Sequence, residues 1–124
     1  MGIDHLNPLS TMCDYNKQLT EIIDGIRDDF SVLGTFAFTG QGNVFDVNER
    51  FWKVYDAALQ AKPLVEERVA EKGLQAATTV PWGEIDGFRA ILKQAGPPAM
   101  MATAGLFGRY TMQLNQFFIF AQGL

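Results

Sequence analysis

The 124-residue chain carries 14 acidic and 10 basic side chains, and its 19 % charged residues stand beside 48 % apolar ones, where an average domain has about 25 % charged. A formal charge of −4, with lysines and arginines scattered singly, argues against a nucleic-acid partner, because phosphate neutralisation needs clustered cations. The lone cysteine, Cys13, cannot form an internal disulfide and reads as a small buried apolar residue, and the length suits one domain, residues 1–124, with a core of its own.

Met1 to Leu6 lacks the basic and apolar regions of a signal peptide, so a cytoplasmic or virion location is expected. Leu6 also stands where a myristoylation motif requires Ser or Thr. Asn7-Pro8 supplies an N-cap followed by proline at the first helical position. From there Leu19, Ile22, Ile23, Ile26, Phe30 and Leu33 recur at steps of three and four, predicting one amphipathic helix over 8–33 that stops at Gly34.

Thr35-Phe36-Ala37-Phe38-Thr39 alternates and Gly40-Gln41-Gly42 turns. A packed Gly/Phe loop is expected there, with a short β-hairpin as the alternative. Asp46 and Glu49 have the spacing of a capping box. The helix they open carries Val47, Phe51, Val54, Tyr55, Ala58 and Leu59 on one stripe, until Pro63 breaks or kinks it. Leu64 to Lys72 continues as an arm closed by Gly73.

After a linker over 74–80, Pro81 starts a helix with Trp82, Ile85, Phe88, Arg89 and Leu92 on one side, which Gly96-Pro97 ends. Gly83 and Gly87 inside it predict close packing over that face. Four helices with no strand–helix alternation imply an all-α, four-helix-type bundle.

The charges are distributed unevenly. Residues 94–124 hold one, Arg109, and the last helix, about 98–122, is apolar on nearly every side. Its length would span a bilayer, but Arg109 near the middle and Gln113, Asn115 and Gln116 beside it argue against a membrane span. Arg109, Gln113 and Gln116 form a polar seam, either a solvent-facing edge or the site of an ion pair to Arg109. Ala104 and Gly108 have small-xxx-small spacing. The run Phe117-Phe118-Ile119-Phe120 cannot face a single core from one helix, so the helix is expected to make an interface through Phe107, Arg109, Tyr110, Leu114, Phe117, Phe118 and Phe120.

Catalytic chemistry has little to work with. The only histidine is His5, no Glu-x-x-His pair occurs, and Gly40 and Gly42 lack the rest of a phosphate loop. Asp24 with Asp28, and Glu67 with Glu71, read as solvated faces, and Trp52, Tyr55, Trp82 and Tyr110 as an aromatic core cluster. No catalytic residue, cofactor or metal is expected. The chain therefore reads as a non-enzymatic structural or assembly subunit, of a phage or other virus particle or another large complex, whose partners are copies of itself or other subunits. The alternatives are an acidic binding or inhibitory protein that docks Asp24, Asp28, Asp29, Glu66, Glu67 and Glu71 on a basic surface, and an accessory subunit of a membrane complex.

Overall fold

The computed structural model describes residues 8–74, 80–96 and 104–124, with 8–13 and 104 as backbone only. Cys13, His5 and Asn7, the linker over 75–79 and the start of the last helix lie outside the described side chains. The described residues form an all-α bundle of five helices: α1 Pro8–Asp24, α2 Arg27–Thr39, α3 Val44–Glu71, α4 Trp82–Ala95 and α5 Ala104–Gln122.

The single helix expected over 8–33 is two helices. The chain turns at Gly25-Ile26, where Ile26 leaves the helical region (φ −123°, ψ 11°). Glycine is a poor helix former, and burying Ile26 in the core rewards the corner. Asp28 and Asp29 then occupy the first turn of α2, where negative charge favours a helix start.

The Gly/Phe loop or hairpin is not found, because α2 runs through Gly34 and takes up the whole Phe36–Thr39 stretch. Phe30, Leu33 and Phe36 pack on or in the core at three-residue steps, a helical period that five alternating residues cannot reveal. Thr35 and Thr39 turn their hydroxyls back onto the carbonyls of Ser31 and Thr35, so these β-branched residues are satisfied within the helix. Gly40 ends it in the left-handed conformation (φ 70°), donating its N–H to Phe36 O.

The α3 cap is Asn43, not the Asp46–Glu49 box. Asn43 Oδ1 accepts from the backbone N–H of Phe45 at 2.8 Å and of Asp46 at 3.3 Å, while Asp46 accepts from Arg50 Nε at 3.0 Å. Nor does Pro63 end the element: α3 is continuous over 28 residues. Buried Ala58, Ala61, Val65 and Val69 on both sides of the proline hold the helix where one hydrogen bond is missing. Gly73 (φ 67°) closes it, with Leu74 N–H donating to Val69 O in a Schellman arrangement.

α3 is the axis of the bundle, flanked by α1, α2 and α5. Phe51, Tyr55, Phe107, Leu33, Ile85 and Leu114 are the largest fully buried side chains. The α4 helix docks through side chains. Trp52 and Phe88 have ring centroids 6.0 Å apart, Phe88 and Phe107 5.5 Å, and Trp82 and Phe117 5.3 Å, spacings at which edge and face of the rings attract. Arg89 closes the contact, bidentate to Asp56 at 2.8 and 3.1 Å and 5.0 Å above the Trp52 ring. The aromatic cluster is thus core. Among the described residues nothing packs over Gly83 or Gly87, since a Cβ at either would meet nothing within 4 Å; Ile85, Phe88 and Leu92 carry the buried side of α4 instead.

Candidate interaction face

Three polar ties fix the helices around the core. Tyr15 donates to Ala121 O at 2.7 Å, joining the two ends of the described chain. Tyr55 donates to Asp86 Oδ1 at 2.7 Å, with Trp82 O as a second acceptor at 3.1 Å, and Tyr110 donates to Glu84 Oε2 at 2.8 Å. Burial holds all three phenols above their ordinary pKa of 10.0, and the carboxylates of Asp86 and Glu84 add to the effect at Tyr55 and Tyr110. These groups are fixed as neutral donors and serve architecture.

Asp29 is buried, not part of a solvated acidic face. Its two carboxylate oxygens meet Arg50 Nη1 and Lys53 Nζ, each at 3.2 Å, the pairing a buried charge requires. The helix break separates Asp24 from Asp28, and Asp24 instead pairs with Arg27 at 2.6 Å. The acidic surface is therefore interleaved with Arg27, Arg50 and Lys53.

Of the seven residues expected at an interface, Phe107, Tyr110, Leu114, Phe117 and Phe118 lie in the chain's own core and Phe120 is half-buried against it. The bundle itself covers them, because α5 is wrapped by α1, α2 and α3 and the α4 aromatics close over Phe107 and Phe117. The run Phe117 to Phe120 is split: Phe118 meets Phe30 edge-on at 5.7 Å, while Ile119 points outward, 59 % exposed. Arg109 and Gln116 are exposed and Gln113 is half-buried, with its Oε1 buried, and among the described residues no carboxylate lies within ion-pair distance of Arg109. Gly108 allows a close approach within the subunit, since a Cβ there would stand 3.6 Å from Ala37 Cβ.

What α5 and α2 jointly leave outside is an open groove of about 420 Å³. Phe30, Ser31, Gly34, Ala37 and Phe38 form one wall and Thr111, Met112, Asn115 and Gln116 the other. Phe38 projects at its rim, 85 % exposed, and Met112 is 55 % exposed; Ile119 extends the stripe one turn beyond Asn115 and Gln116. Among the described residues no carboxylate lines this groove, and Arg27 is its one charged residue. Sequence periodicity misses both residues: the alternation around Phe38 reads as a Gly/Phe loop and not as part of a helix, and nothing singles out Met112 among the apolar residues of the last helix. The one available signal was that α5 has more large apolar residues than a single buried stripe can hold.

No helix among the described residues is long and apolar enough to cross a membrane. No family model, curated protein or solved structure matches the chain.

Proposed function

We propose that this chain is a non-enzymatic assembly subunit, associating with copies of itself or with other subunits of a larger particle, the virion being one such particle, through the outer face of α2 and α5. The observation that carries the reading is the groove, lined by no carboxylate among the described residues, that Phe38, Met112 and Ile119 crown. Large apolar side chains grouped on one face of a soluble bundle mark an interaction surface, and aromatic anchors of this kind dominate interface energetics. The perturbed tyrosines support it from the other side, since each is committed to holding helices together.

Sedimentation velocity of the purified chain across a wide concentration range tests the reading. Mass rising reversibly above the 13.8 kDa of one chain is expected. A species that stays at 13.8 kDa at the highest concentrations sinks it.

A further inference from the structure

A two-fold axis brings one patch against itself, so a face that binds its own copy must be self-complementary, and a protrusion beside a recess meets that requirement. The α2/α5 face has both: Phe38, Met112 and Ile119 stand out, and the groove beside Gly34 lies between the helices. Charge narrows the choice further. The chain is net negative, and the face of exposed Asp24, Asp28, Asp46 and Glu49 keeps an acidic excess over Arg50 and Lys53, so two copies repel there. Among the described residues the α2/α5 groove has no carboxylate, and α5 contains none.

Resting on the assembly reading above, we propose that the occupant of this groove is a second copy of the chain, with α5 antiparallel to its mate about a two-fold axis between Asn115 and Gln116. The register follows from α5 itself. An axis at that point sets Met112 of one copy opposite Ile119 of the other, about 10 Å apart along a helix in one chain and facing across the axis in the pair. The same axis sets Arg109 opposite Gln122, the last residue of the partner's helix, where the terminal carbonyls favour a cation. One symmetry operation therefore covers the exposed apolar residues of α5 and gives its only charge a complement. Phe38, beside Met112 across the groove, packs over the same Ile119, and the amides of Asn115 and Gln116 meet their mates at the centre.

Sedimentation velocity and cross-linking on the full chain with Cys13→Ser test this geometry. Phe38→Asp is expected to raise the dimer dissociation constant about 30-fold or more, the loss of one aromatic anchor, with unchanged far-UV circular dichroism because Phe38 touches little of its own fold. Gln116→Cys is expected to give a covalent dimer with a short bismaleimide, whereas Gln94→Cys on exposed α4 gives none. If the parent chain associates but Phe38→Asp associates equally well and Gln116→Cys does not cross-link, this register is wrong and the assembly reading survives. If the parent is monomeric throughout, both fall.

Discussion

Asp29 and the three tyrosines show what individual side chains contribute. Each tyrosine is a buried donor whose phenolate would lose its hydrogen bond and face a desolvated site. A folded-state pKa above the unfolded value of 10.0 means the stabilisation is fully present below pH 10 and lost as pH rises through the folded pKa. Absorbance at 295 nm should therefore show less phenolate at pH 10 than three free tyrosines would give, and then a steep rise coincident with loss of ellipticity; three independent titrations centred at pH 10 would contradict the ties. Replacing Asp29 with Ala removes the carboxylate that Arg50 and Lys53 share. Since both cations reach solvent, the cost should be about 1–2 kcal/mol in urea unfolding, less than for a fully buried pair.

At the scale of elements, α3 is the instructive case, because its length is decided against local preference. Proline inside a helix removes the N–H that would bond to Leu59 O and crowds the preceding turn, yet α3 continues to Glu71. Pro63 is exposed, and buried Ala61, Val65 and Val69 secure the segment by packing. Pro63→Ala should accordingly stabilise the protein, by about 1–2 kcal/mol after allowing for the freer unfolded chain. Thermal melts followed at 222 nm would show this as a higher midpoint, and a lower one would mean that the proline shapes a bend the bundle needs. α2 makes the same point in reverse: a glycine and two threonines sit inside a helix whose buried side is supplied by Phe30, Leu33 and Phe36.

The whole molecule depends on α5 more than its position at the chain's end suggests. Tyr110, Leu114, Phe117, Phe118 and Ala121 are buried, Phe107 and Phe117 receive the aromatic rings of α4, and Ala121 accepts the hydrogen bond that ties down α1. Truncation after Arg109 removes most of one side of the core at once. Losing several large apolar side chains at 2–5 kcal/mol each exceeds the stability of an ordinary domain, so the truncated chain should show no cooperative unfolding transition. Retention of a sharp transition would mean that α1 to α4 form a core on their own.

The sequence by itself determined the all-α class, the buried stripe of α3, the span and inward side of α4, and the stop at Gly73, because each is written in the spacing of apolar residues or in a backbone conformation that glycine favours. It also marked α5 as the helix with more apolar surface than one core face can use. Only the tertiary structure decided which of those residues are spare. Phe107, Tyr110, Leu114, Phe117 and Phe118 turned inward because α2 and α3 lie against them, and Phe38, Met112 and Ile119 were left outside. The break at Gly25, the helical Phe36–Thr39 stretch and the burial of Asp29 were likewise settled by distant partners. Periodicity records that a residue is apolar or charged, but not which surface will be there to meet it.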